Sequence, residues 1–238
     1  MFPTSAILTE LYKGAVMCGR YALYEELDKL NDFLNAIERD GDYEPSYNVA
    51  PSQIVPVAVG SKDGNRYLGP MNWGFIPFPP KKDHRPFRVI NTRDDSIMKK
   101  PFWKKALQER RCIVPINGFY EWKGPKGNKT PYYIHAREGV FLGLAGLWSE
   151  IRTEGDDHAT FSIITTSPNE LMEDIHDRMP AILHPSEFEW WLDRDHDDPA
   201  ELLELLRPYP SEAMEAYIVS KAVGNVRNDN PELVQPAS

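Results

Sequence analysis

The sequence is poor in cysteine, with only Cys18 and Cys112 in 238 residues. Two cysteines supply no disulfide framework, and they suit a reducing compartment. There is no CxxC and no Cys/His cluster with metal spacing, which argues against a structural zinc. No apolar run approaches the roughly 18 residues of a membrane span. Residues 1–16 lack the basic start of a secretory signal, and Glu10 and Lys13 interrupt their apolar part. There is no internal repeat, no long linker and no βαβ period. Together these absences exclude a secreted mini-protein, a helical membrane protein and a solenoid. They suggest a cytoplasmic location.

What is present is a chain able to bury a sizeable core, 41% hydrophobic and 11% aromatic. Its net charge is −9, yet residues 81–129 hold 14 Lys and Arg against 5 Asp and Glu. A basic segment on an acidic body suits phosphate binding, and equally a solvated basic helix with its loops.

Apolar residues Leu23, Leu27, Leu30, Phe33, Leu34 and Ile37 recur at helical spacing, which predicts an amphipathic helix over 21–36. Strands are expected at 54–59 and 66–73 around a Lys62-Asp63-Gly64-Asn65 turn. Residues 75–87 read as a Pro-rich loop and 89–93 as a short strand. A helical stretch spans 94–110, with Pro101 as a break or a first helical residue. Further strands are expected at 111–116, 118–123, 132–135, 140–148, 161–166 and 213–220. Short helices are expected at 169–175, 186–192 and 199–206, and the tail after Asn228 reads as polar. The pattern predicts a single α+β domain with a mainly antiparallel, barrel-like sheet flanked by short helices.

Met17-Cys18-Gly19-Arg20 is the stretch on which the chemistry turns. A Met before a small residue is open to Met removal, which would leave Cys18 as residue one. An N-terminal Cys carries a thiol and an α-amine whose pKa is about 7.7–8.0, against about 10.4 for Lys. Both can close on one aldehyde to give a thiazolidine ring. The alternative is a small buried residue at a strand start. Glu121, among Phe119, Tyr120 and Trp122, is either a poorly solvated acid/base near neutral pH or an outward-facing strand residue. His176 either shuttles protons or caps the preceding helix. Asn91 and Arg93 share one face of a strand and can bind a sugar oxygen and a phosphate; otherwise they are surface residues. Trp73, Phe75 and Phe78 adjoin the basic stretch and suit stacking on bases or, for Trp73, the core.

Met17-Cys18-Gly19-Arg20, Tyr47-Asn48-Val49-Ala50-Pro51, Trp73-Gly74, Asn91-Thr92-Arg93, Arg111-Cys112-Ile113-Val114-Pro115, Gly118-Phe119-Tyr120-Glu121-Trp122, Ala145-Gly146-Leu147-Trp148, Ile175-His176-Asp177-Arg178-Met179-Pro180 and Val219-Ser220 to Asn228 follow one another in order. As a set they resemble the SRAP (SOS response-associated peptidase) family, over residues 17–234. The resemblance implies a sensor of abasic sites in single-stranded DNA, nucleoid-associated when bound, with no cofactor. Cys18 would form a Schiff base and then a thiazolidine DNA–protein crosslink, a lyase-like activity with autopeptidase activity as a further expectation. Asn91, Glu121 and His176 match the family's other catalytic positions. Arg20, Arg93, Thr165 and Arg178 match DNA-binding ones, and Trp73 and Phe78 join them as aromatics. Three departures stand out: residues 1–16 precede the Met-Cys start, Phe78 stands where relatives carry a Trp-containing loop, and Asp94 and Asp95 replace a nearby Glu. The competing readings are an N-terminal-nucleophile thiol hydrolase using Cys18, Glu121 and His176, and a passive single-strand binder with Cys18 blocked.

Overall fold

A computed structural model describes residues 18–39, 43–77, 87–125, 127–151 and 158–237. Met17 and Phe78 therefore lie outside the described residues, as does the extension 1–16. The chain opens with β1 (Tyr21–Leu23), α1 (Leu27–Leu34), β2 (Ile37–Glu38), β3 (Ser46–Val49), β4 (Ile54–Gly60) and β5 (Arg66–Trp73). Next come β6 (Asn91–Arg93), α2 (Asp94–Ile97), α3 (Pro101–Glu109), β7 (Arg111–Ile116), β8 (Gly118–Lys123) and β9 (Thr130–Ala136). The last part holds β10 (Leu142–Ile151), β11 (His158–Thr166), α4 (Glu170–Glu173), β12 (Met179–Pro180) and β13 (Ile182–Leu183). It ends with α5 (Phe188–Leu192), α6 (Pro199–Glu204) and β14 (Met214–Ile218).

Five strands close on themselves in the order β4-β5-β11-β10-β7. Four of these pairings are antiparallel, and the ring is sealed by the parallel pair β5–β11. A second sheet runs β14-β9-β8-β1-β3 and is antiparallel throughout. This is the α+β, barrel-like architecture that the alternating strand pattern predicts. Every residue of β7 is buried, as the apolar run Cys112–Val114 requires of a strand covered on both faces. The other cysteine packs here: a Cβ on Gly146 of β10 would sit 2.8 Å from the Cys112 Sγ. The strands approach this closely because position 146 carries no side chain.

The helix expected from residue 21 begins only at Leu27. Tyr21–Leu23 is instead a buried strand, with β3 on one edge and β8 on the other. Pairing on both edges outweighs a helical periodicity that Leu23 merely happened to fit. Leu30 and Leu34 supply the buried face of α1, Asn35 ends it in the left-handed conformation, and Ile37 is exposed in β2. Residues 94–110 form two helices, with Pro101 opening the second. The tail after Asn228 is also not simply polar. Leu233 and Val234 are buried beside Tyr120, Tyr133 and Val223 in a small second core.

Two features of the barrel position the site. β6 lies parallel to β11 beyond the point where β5 leaves it, with Asn91 opposite Ile163 and Arg93 opposite Thr165. β1 pairs with β8, Tyr21 opposite Phe119, and the Tyr120 N–H donates to the Arg20 carbonyl at 3.0 Å. That register brings the residues just before β1 alongside Glu121.

Candidate active site and DNA-facing cations

Cys18 is fully enclosed and has a φ of 44°. For a non-glycine residue this conformation costs on the order of 1 kcal/mol. Its backbone nitrogen donates a short hydrogen bond to Glu121 Oε1. Burial raises the Cys18 thiol well above its ordinary range, and the nearby Glu121 charge raises it further. The sulfur is therefore a protonated thiol at neutral pH.

Glu121 is 3% exposed. Burial lifts its carboxyl to about 7, against the pull of the Cys18 and Trp122 N–H groups and of Lys129; Asp177 adds a small push upward. Of the two readings open to a carboxylate among aromatics, the enclosed one holds. Such an acid changes protonation state near neutrality and suits proton transfer.

His176 shares two of those electrostatic neighbours. Burial lowers its pKa first, Asp177 raises it and Lys129 lowers it. Its Nδ1 lies 3.2 Å from the Arg178 backbone nitrogen and 2.8 Å from Asp177 Oδ1. Glu121 and His176 thus occupy one electrostatic neighbourhood, with Lys129 its cation and Asp177 its anion.

A second cluster lies where β6, β11 and β12 meet. Arg178 Nη2 donates to Asp94 Oδ1 at 2.6 Å, to Thr165 Oγ1 at 3.4 Å and to the Thr165 carbonyl at shorter range. Thr166 donates to the other Asp94 oxygen at 2.7 Å. The buried Arg178 Nε has no partner among the described residues. Arg93 is half exposed and is held by Asp95 at 2.7 and 3.2 Å. The two aspartates in place of a glutamate therefore divide the work, Asp95 orienting Arg93 and Asp94 orienting Arg178. Because His176 and Arg178 are two residues apart, the two clusters are continuous. Among the described residues no group of three or more His, Cys, Asp or Glu has metal-holding geometry.

Comparison with known proteins bears on the whole of this region. The family described as SOS response associated peptidase (SRAP) matches residues 17–226. The chain belongs to the SRAP family. It is 42% identical over 224 residues to the abasic site processing protein YoqW of Bacillus subtilis, covering 92% of this chain and 99% of that protein. It is 33% identical over 231 residues to the abasic site processing protein YedK of Escherichia coli, covering 92% and 100%. A crystal structure of a Bacteroides thetaiotaomicron protein superposes with a TM-score of 0.80 at 29% identity, covering 93% and 100%.

Within this SRAP chain, two of the DNA-contact expectations need correction. Trp73 is fully buried, tilted against Tyr21 at 4.9 Å and stacked on Phe161 at 6.3 Å, so neither ring face is open to a base. Its indole N–H donates to the Ile90 carbonyl at 3.0 Å, one residue before Asn91. Trp73 is thus a positioning residue for β6. Thr165 is 2% exposed and its hydroxyl points inward to the Thr92 carbonyl. Its part is to hold Arg178.

The Arg20 guanidinium is spent largely on protein acceptors: Asn48 Oδ1 at 2.6 Å and the carbonyls of Val223 and Gly224 at 2.9 and 3.4 Å. Lys129, whose charge acts on both Glu121 and His176, is a neighbour that sequence reasoning missed. The only signal for it was its place in the basic segment, at the end of a hairpin tip. Arg111, counted among those basic residues, faces inward. It donates to the carbonyls of Leu107, Gln108, Trp191, Asp193 and His196 and is buried.

Proposed function

We propose that this protein processes abasic sites in single-stranded DNA by forming a covalent link through Cys18. The observation that carries the reading is the hydrogen bond from the Cys18 nitrogen to the buried Glu121 carboxyl. The shared family and the names of the relatives support the substrate class.

Cys18 reacts once its nitrogen is a free amine, either because translation begins at Met17 and that residue is removed, or because the extension is cleaved. The amine adds to the C1 aldehyde of the ring-opened sugar, giving a carbinolamine. Glu121 donates a proton to the departing hydroxyl, water leaves, and the nitrogen returns its proton to Glu121 as the C=N bond forms. The thiol then adds across that bond: a C–S bond forms, and the nitrogen takes up the thiol proton. The net change is the loss of one water.

The contact between the Cys18 nitrogen and Glu121 supports this order, nitrogen first and sulfur second. Asn91 orients the sugar, His176 exchanges protons with it, and Arg93, Arg178 and Lys129 receive the flanking phosphates. Acting on DNA, the protein works in the cytoplasm at the nucleoid. No helix among the described residues is long and apolar enough to cross a membrane.

The test is a denaturing gel with protein beginning at Cys18 and a single-stranded oligonucleotide carrying one abasic site. A shifted band in wild type that is lost in Cys18→Ala is expected. An equal band in Cys18→Ala would remove Cys18 from the reaction.

A further inference from the structure

We propose that the loop 221–227 forms one wall of the DNA path beside Cys18, with Lys221 and Arg227 binding backbone phosphates of single-stranded DNA. This rests on the functional reading above.

The loop is tied to the segment that carries the nucleophile. Arg20, two residues after Cys18, holds the carbonyls of Val223 and Gly224. Asn48, 1% exposed, sends its Nδ2 to the carbonyls of Val223, Asn225 and Asn228 at 3.3, 3.2 and 2.8 Å. Asn228 Nδ2 in turn donates to the Ala222 carbonyl at 2.8 Å. Val223 is fully buried beneath. These bonds fix the backbone before any ligand arrives, which lowers the ordering cost of binding.

Everything the loop turns outward suits a nucleic-acid strand. Lys221, Gly224, Asn225, Val226 and Arg227 are all exposed, Val226 by 54%. Neither Lys221 nor Arg227 pairs with a carboxylate among the described residues. The acid nearest Arg227 in sequence, Asp229, is occupied by the Tyr47 N–H and the Ser46 hydroxyl. A Cβ on Gly224 would meet nothing within 4 Å, so the surface there is open. In a chain of net charge −9, two cations without a carboxylate partner and an exposed valine, all on the loop that Arg20 holds, match phosphates on either side of a sugar or base face. The phosphate role expected of Arg20 thus passes to the loop that Arg20 holds.

The test compares wild type, beginning at Cys18, with Lys221→Ala/Arg227→Ala. Binding of an oligonucleotide without an abasic site is measured across salt, and adduct yield is measured separately at saturating abasic DNA. The variant is expected to bind at least fivefold more weakly at about 0.1 M salt. Its log K against log salt should be shallower by about 1.4, for two phosphates at about 0.7 each, with full adduct yield at saturation. An unchanged affinity and slope would overturn the proposal, as would lost adduct at saturation with an unchanged slope. A wild type that forms no adduct would instead defeat the functional reading, which the intact-DNA measurement does not depend on.

Discussion

Glu121 carries the most chemistry per residue, and its burial has a measurable cost. In the 238-residue chain it keeps its proton up to about pH 7, whereas in the unfolded chain it releases it near 4.5. Between those values the folded state binds more protons, so stability falls as pH rises through the window and levels off above it. Glu121→Gln removes that loss. Urea midpoints should show the variant gaining on wild type by up to about 3 kcal/mol between pH 4 and pH 8; parallel pH profiles would contradict the burial. In protein starting at Cys18 the α-ammonium would pull the carboxyl back down, and Glu121→Gln should slow adduct formation by about 100-fold or more. Trp73 acts one step further from the chemistry. Trp73→Phe removes one of the two donors to the Ile90 carbonyl and leaves the Ile163 N–H at 3.0 Å, at a cost of about 1 kcal/mol in stability. It should slow adduct formation while leaving the Kd for intact DNA unchanged. At this scale the sequence exposed the residues but not their surroundings: nothing in Phe-Tyr-Glu-Trp says which way a strand faces, and Trp73 beside a basic stretch looks like a stacking residue until the barrel closes over it.

At the scale of elements, hairpins and buried strands were legible because turn residues and apolar runs act locally. The boundary between β1 and α1 was not, because a strand of three residues owes its existence to β3 and β8, both distant in the chain. The basic segment was misleading for the same reason. Arg111 looks like part of a phosphate-binding face, yet it serves as a clasp between α3, β7 and the turn after α5, where burial brings its guanidinium down to about 10. Arg111→Lys should cost about 3 kcal/mol in chemical denaturation, since a compact ammonium cannot serve five carbonyls. DNA affinity of the folded variant should not change. At the junction of β6, β11 and β12, Asp94 and Arg178 act as one unit. A double-mutant cycle of Asp94→Ala and Arg178→Ala should show coupling of about 1 kcal/mol or more in stability. Additive effects would mean that Asp94 does not hold Arg178.

For the molecule as a whole, the proposed function has a chain of net charge −9 meet a polyanion through a few outward-facing cations. Arg93, Lys129, Lys221 and Arg227 are the candidates, and the remaining charge repels DNA from other faces. The register of β1 with β8 brings Cys18 to Glu121 across 103 positions of sequence, and that of β6 with β11 sets Asn91 opposite Ile163. No local pattern encodes that convergence; the order of motifs along the chain was the only trace of it. The account stands or falls on the bond made at Cys18. Intact mass of the product between protein beginning at Cys18 and an abasic single-stranded oligonucleotide tests it most directly. The account predicts the sum of the two partners less one water, with the added mass on the peptide that starts at Cys18 and with no such product from the uncleaved 238-residue chain. A product of any other mass, or one mapped to another residue, would contradict it.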